Sequence, residues 1–162
     1  MPMATDIWAE CAEGTAIKFD ISRQEQDNYA IQRYKKTIAA SEVNMLLNLK
    51  TITAANAGVL TDGAAACVLT SGSYADANDL KPLARILAFA DAALEPVDFS
   101  ISPSYAVRKI LSNANLDKDD IALWEINEPS SVVGLANIKI LNLDPEKVNI
   151  HGGSVALGHP LA

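Results

Sequence analysis

Residues 121–142 read IALWEINEPSSVVGLANIKILN, and the way this stretch divides decides the fold. Its first seven residues, IALWEIN, form a mostly apolar run of strand length and read as a buried strand. SSVVGLANIKILN reads as a helix that starts directly after it. Next comes EKVNI (146–150), a short strand, and then a glycine-rich end. Strand, helix, strand in that order implies α/β layering.

Working outward, ISRQEQDNYAIQRYKKTIAA (21–40) is the clearest helix. Ser22 can cap it, and Glu25, three residues on, completes a capping box. Ile31, Tyr34 and Ile38 then fall on one face at helical spacing. SPSYAVRKILSNAN (102–115) reads as an amphipathic helix with Val107, Ile110, Leu111 and Ala114 inward. TAANAGVLTDGAAACVLTS (53–71) is a small-residue loop that runs into an apolar strand at Ala65–Leu69. PLARILAFADAAL (82–94) fits a strand or a helix by pattern, and its flanking Pro82 and Pro96 favour an extended segment. SEVNMLLNLK (41–50) carries no clear period. Repeats, low-complexity tracts and Pro/Gly/Ser-rich linkers are absent from the sequence.

At 162 residues, the chain is long enough for one domain with a real core. Hydrophobic residues are 49% and charged residues 20%, the balance of a globular rather than a disordered chain. The net charge of −7 gives no electrostatic footprint for nucleic acid or an anionic membrane surface, although a local basic pocket for a phosphate-bearing ligand is still allowed. No apolar run approaches a bilayer span. The N-terminus reads as neither a signal peptide nor an Arg-rich transit segment, its first basic residue being Lys18. Two widely separated cysteines, Cys11 and Cys67, suit a reducing compartment.

Three stretches carry candidate chemistry. Asn127 and Glu128 sit where the strand gives way to the helix, the sheet edge at which α/β proteins bind ligands. An amide there can orient a water or donate to a carbonyl oxygen. The simpler reading is that Asn127 caps the helix and Glu128 offsets its dipole. In GGSVALGHP (152–160), adjacent glycines permit positive φ and close backbone approach. His159 follows Gly158 directly and suits proton abstraction near neutral pH, against the alternative of a hydrogen-bonded histidine in a turn. His151 only precedes a turn and is the weaker candidate. The carbonyls of the small-residue loop TAANAGVLTDGAAA (53–66) can bind a cation, or the loop simply feeds the strand. Cys67, amid Ala, Val and Leu, reads as a small core residue, and Cys11 as packing on a helix.

Together these stretches resemble one family closely. TAANAGVLTDGAAACVL, WEINE, VVGLANIKILNLDPEKVNI and GGSVALGHP are similar to the thiolases, the acyl-CoA acetyltransferases. PLARILAFADAALEPVDFSISPSYAV and CAEGTAIKFDISRQEQDNYAIQRY resemble its mitochondrial acetoacetyl-CoA branch. The resemblance implies a layered αβαβα thiolase fold of two similar α/β halves. On that division residues 1–72 are a remnant of the N-terminal domain and 73–162 the first part of the C-terminal domain. It implies Claisen condensation of two acetyl-CoA molecules, or thiolysis of acetoacetyl-CoA, through an acyl-cysteine. His159 matches the histidine that activates the nucleophile and helps hold the thioester oxygen. Asn127 matches the asparagine that positions a water in that oxyanion hole. Ala54, Ala55, Ala57 and Val155 match backbone positions that hold a potassium ion, and Gly58 matches a coenzyme A contact that is usually serine. The family further implies acyl-CoA as the partner molecule, a dimer or tetramer of like chains, and a mitochondrial location, with the cytoplasm as the alternative.

The departures from the pattern are as specific. The family's nucleophilic cysteine falls upstream of Met1 and its second catalytic cysteine beyond Ala162, and neither Cys11 nor Cys67 matches either. The loop domain that grips coenzyme A is reduced to a short tract near residues 37–50. The family's Asn-Glu-Ala-Phe becomes Asn127-Glu128-Pro129-Ser130, and His151 stands where the family has asparagine. The expectation is therefore an incomplete thiolase, inactive as these 162 residues alone. A non-catalytic, thiolase-like interaction module is the alternative, and a β-ketoacyl synthase a more distant one.

Overall fold

The computed structural model describes residues 4–38, 51–53 and 55–160. Two helices lead, α1 (Ala4–Lys18) and α2 (Arg23–Ile38), separated by a turn in which Asp20 takes a φ of 49°. The expected capping box is formed. Ser22 Oγ accepts from the Glu25 amide at 3.2 Å, and the Glu25 carboxylate accepts from the Ser22 amide at 2.8 Å. These reciprocal bonds satisfy two backbone donors that a helix start leaves open.

The inward face of α2 is not the expected one. Gln26, Tyr29, Ala30 and Arg33 are buried, whereas Ile31 is 49% exposed and Tyr34 only half-buried. The side chain of Ile38 lies outside the described residues. The buried set keeps i, i+3, i+4, i+7 spacing, but two of its members are polar. A hydrophobic pattern therefore points to the wrong stripe.

A short strand β1 (Leu60–Thr61), helix α3 (Gly72–Ala77), a 3-10 segment at Pro96–Ile101 and helix α4 (Ser102–Ala114) follow. Pro103 occupies the first turn of α4, and Asn115 ends it in the left-handed region at φ 53°. Val107, Ile110, Leu111 and Ala114 are half-buried, as amphipathicity requires, but the fully buried residue of α4 is Ser104. Its hydroxyl and amide both donate to Asn137 Oδ1, at 2.5 and 2.9 Å.

That asparagine lies on α5 (Ser131–Leu141), the expected helix and the centre of the molecule. Val132, Val133 and Ala136 of α5 pack with Ala12 and Ala16 of α1 and with Ile21, Ile52 and Ile101. Farther along α5, Ile138 joins Tyr29, Ile126, Leu143 and Val148 in a second cluster. A helix apolar on more than one face is buried between neighbours, here α1 and α2. The chain then passes through α6 (Ser154–Leu157) into β2 (His159–Pro160), which pairs in parallel with β1, Leu60 against His159.

The strands are less developed than their sequences suggest, so the α/β arrangement is an incomplete one. IALWEIN is extended, and its one backbone bridge to EKVNI among the described residues is the parallel pairing of Trp124 with Val148. Its burial alternates: Trp124, Ile126 and Glu128 turn inward, and Leu123, Glu125 and Asn127 face outward. It is thus half-buried, with the period of two that a pleated segment imposes. Residues 65–69 and 82–94 form no strand or helix, and Val68 and Phe89 are 94% and 83% exposed. Cys67 is exposed with them and is not the core residue its neighbours suggested. A β-branched, apolar run becomes a strand only when a ladder partner takes up its backbone groups. These two runs have none among the described residues.

Candidate active site

Three backbone segments meet beside the N-terminal end of α5. The Gly58 amide donates to the Pro129 carbonyl at 3.0 Å, and the Ser131 amide to the Asn56 carbonyl at 2.7 Å. Those bonds flank an antiparallel bridge between Ala57 and Ser130. The His159 amide donates to the Val59 carbonyl at 2.7 Å, which brings the third segment alongside. Asn56 is wholly buried and shapes the loop from within. Its Oδ1 accepts from the Thr53 amide at 2.7 Å, and its Nδ2 donates to the Thr51 carbonyl and the Asp27 carboxylate.

Close approach explains two glycines. A Cβ on Gly58 would stand 2.8 Å from the Ser154 carbonyl oxygen, well inside ordinary contact. In the Gly-Gly pair, Gly152 takes the positive φ, 91°. Gly153 is extended and is needed because a Cβ there would overlap the Glu128 carboxylate.

Beneath the surface that carboxylate is the centre of a buried polar cluster. Glu128 Oε1 accepts from the Tyr29 hydroxyl at 2.6 Å and from Asn149 Nδ2 at 2.5 Å, and pairs with Arg33 Nε at 3.3 Å. Arg33 also donates to the Val148 and Asn149 carbonyls and lies 4.3 Å from the centre of the Tyr29 ring. Burial, and then the charge of Glu128, push the Tyr29 hydroxyl well above the usual phenol range. Asn149, in the left-handed region at φ 48°, holds the Ile126 backbone through both ends of its amide. The cluster fixes the extended run 126–128 against the turn 148–153 and so sets where Asn127 emerges.

Neither helix-start role expected for this pair is what the structure shows. Ser130 occupies the N-cap position of α5. Asn127 is exposed, and its Oδ1 accepts from the Ser154 hydroxyl at 2.8 Å. Glu128 is committed to the buried ion pair rather than to the helix dipole.

The candidate residues separate into those brought together and those left apart. Asn127 and Gly58 both meet Ser154, and His159, half-buried on β2, is held by its amide to Val59, the residue after Gly58. Ala57 stands at the same junction, Val155 is fully buried beside Ser154, and Ala55 is half-buried two residues before Ala57. Ala54 lies outside the described residues. His151 is exposed in the turn. Cys11 is half-buried on α1, and neither it nor Cys67 is among the residues that meet here. Among the described residues, no group of three His, Cys, Asp or Glu side chains could hold a metal. Tyr29, Arg33, Asn149 and Ser154 carry no sequence signal of their own. The one available hint was two polar residues at i, i+3, i+4, i+7 spacing on α2.

An outward carboxamide on one segment and a half-exposed imidazole on another that pairs with the same loop supply donors of the kind that can hold an acyl oxygen. The family model for the thiolase C-terminal domain matches residues 80–162. This chain belongs to the thiolase family. It is 47% identical to the mitochondrial acetyl-CoA acetyltransferase of Mus musculus, over 93% of the chain and 45% of that protein. To the human mitochondrial acetyl-CoA acetyltransferase it is 45% identical with the same coverage. Among solved structures, a thiolase from Ascaris suum in complex with coenzyme A superposes at a TM-score of 0.88 with 43% identity, over 95% of this chain and 50% of that one. Human mitochondrial 3-ketoacyl-CoA thiolase superposes at 0.87 with 30% identity, over 95% and 49%. The chain thus spans about half the length of the thiolases it matches, and its partial α/β architecture is a thiolase architecture. No helix among the described residues is long and apolar enough to cross a membrane.

Proposed function

We propose that this chain carries the thioester-polarising half of an acetyl-CoA C-acetyltransferase site. The observation that carries this is that Asn127 and Gly58 both meet Ser154, with His159 held to Val59 beside Gly58, in a member of the thiolase family. Claisen condensation builds negative charge on a thioester oxygen. His159 and a water held by Asn127 stabilise that charge, and His159 also activates the cysteine nucleophile. Gly58, which matches a coenzyme A contact, would meet the coenzyme A portion of an acyl-CoA through its backbone. Support for that ligand comes from the coenzyme A in the related Ascaris suum structure.

The potassium assignment is consistent with the backbone. Contact between Gly58 and Ser154 brings Ala57 and Val155 to one place. The bonds flanking the Ala57–Ser130 bridge belong to Asn56 and Gly58, so the Ala57 carbonyl is turned away from that partner. Neutral carbonyls of this kind suit a hard cation, and Ala55, Ala57 and Val155 are the described residues that would hold it. The division at residues 72 and 73, the reduced loop domain near 37–50, assembly into dimers or tetramers and a mitochondrial location belong to the same reading. The relatives' names support the last of these.

The experiment is thiolysis of acetoacetyl-CoA together with acetyl labelling from acetyl-CoA. The 162-residue polypeptide alone is expected to give neither turnover nor label on Cys11 or Cys67, since neither stands at the site. Label on either cysteine overturns the assignment. The interaction-module alternative is favoured by one feature, the exposed Leu83, Ile86, Leu87 and Phe89 along the extended segment.

A further inference from the structure

Among the described residues, Ser154, the first residue of α6, is the only one whose side chain hydrogen-bonds both the backbone and a side chain of the Asn127–Glu128 pair. Its Oγ accepts from the Glu128 amide at 2.8 Å. Its own proton goes to Asn127 Oδ1, also at 2.8 Å. A hydroxyl has one proton to give, so accepting from Glu128 leaves that proton for the asparagine. A carboxamide has an acceptor end and a donor end. With Oδ1 held by Ser154, the NH2 end of Asn127 is left to donate elsewhere, on the exposed face of the extended segment.

We propose that Ser154 is the positioning residue that sets the carboxamide of Asn127 with its donor end outward, toward the water that it would hold against the acyl oxygen of a bound thioester. The role in acyl transfer rests on the function proposed above, whereas the control of Asn127 by Ser154 does not. The geometry is anchored at both ends. Glu128, whose amide fixes the serine oxygen, is itself locked by Tyr29, Asn149 and Arg33. The Ser154 carbonyl abuts Gly58, so the serine cannot drift from the junction. Without the hydroxyl, the Asn127 amide is free to turn over. It then presents an acceptor where the water needs a donor, and the water loses the position in which it meets the developing negative charge.

The test is NMR of the 15N-labelled chain. The Asn127 carboxamide signals are identified by their loss in Asn127→Asp. In the wild type they should show restricted motion, clearly more than the carboxamide of exposed Asn113. In Ser154→Ala that restriction should be lost, and in Ser154→Thr, which keeps a hydroxyl, it should be retained. Backbone signals of Tyr29, Arg33 and Asn149 should stay in place in both, which separates positioning from general loosening, while the Glu128 amide, whose acceptor is the Ser154 hydroxyl, should move in Ser154→Ala. An Asn127 amide as mobile as Asn113 in the wild type overturns the proposal before any variant is made. So does an unchanged amide in Ser154→Ala. A second arm titrates acetyl-CoA against coenzyme A. Acetyl-CoA should shift the Asn127 signals in the wild type and in Ser154→Thr, several-fold less in Ser154→Ala, and coenzyme A should shift them little. If acetyl-CoA does nothing while the serine dependence holds, the acyl-transfer reading fails and the positioning stands.

Discussion

Replacing Arg33 by methionine removes the cation from the buried cluster while keeping much of the side-chain volume. Both partners are enclosed, with 2% of the Arg33 side chain and none of Glu128 reaching solvent. The change deletes the 3.3 Å ion pair, the bonds to the Val148 and Asn149 carbonyls and the contact with the Tyr29 ring. What dominates the cost is the carboxylate left without its counter-charge. Removing one member of a buried pair costs about 3–5 kcal/mol, a large share of the roughly 5–15 kcal/mol that holds a domain together. With a urea slope of about 2 kcal/mol per molar, the midpoint should fall by about 2 M. Trp124, packed against the neighbouring cluster, allows this to be followed by fluorescence. Adding Glu128→Gln removes the orphaned charge and keeps an acceptor for Tyr29 or Asn149. The double variant should therefore recover about 2 kcal/mol relative to Arg33→Met alone, as coupled neighbours do. A cost under about 1 kcal/mol for Arg33→Met, or a double variant as damaged as the sum of its parts, refutes the charge-pair reasoning.

The same cluster should answer to alkali. Folding keeps the proton on Tyr29, where the unfolded chain releases it near the ordinary phenol value of about 10. Stability contributed below that pH is then lost as pH rises, by roughly 1.4 kcal/mol per pH unit, and Tyr29→Phe should flatten the slope in urea melts above about pH 10. Gly153→Ala forces a methyl group onto a carboxylate that cannot move aside, so thermal melting should report a loss of roughly 1–3 kcal/mol. Ser22→Ala should cost about 1 kcal/mol through the lost cap, measured by urea unfolding. Exposed Leu83, Ile86, Leu87 and Phe89 should drive association of the purified chain in sedimentation velocity; a single monomer boundary with a cooperative melt would count against this.

What the sequence reveals is what is decided locally. The capping box at Ser22 and Glu25 depends on residues three apart, and helices α2, α4 and α5 appear where their patterns put them. The Gly-Gly turn and His159 are legible because glycine has few other uses beside a histidine. The buried pair is not legible: Arg33 and Glu128 are far apart in the chain, and Glu128 alone reads as a charge that offsets a helix dipole. Its consequence is that α2 turns Arg33 inward and leaves Ile31 outside, against the hydrophobic pattern. The runs at 65–69 and 82–94 have the composition of strands, but a strand also needs a ladder partner, which composition does not supply. Asn127 was recognisable from the motif around it, whereas its hydroxyl partner Ser154 lies 27 residues on and becomes apparent only when the two segments are placed side by side.

Grafting residues 51–160 into the corresponding stretch of the mouse mitochondrial acetyl-CoA acetyltransferase would place His159 and Asn127 opposite a complete set of thiolase residues. Acetoacetyl-CoA thiolysis by the graft, by its His159→Ala variant and by its His151→Asn variant then tests the site directly. The expected result is an active graft that loses on the order of a hundred- to ten-thousand-fold in rate with His159→Ala, and is nearly unaffected by His151→Asn, since His151 is exposed in the turn. An active graft in which His151→Asn is the more damaging change contradicts the assignment of the acyl-transfer site to His159.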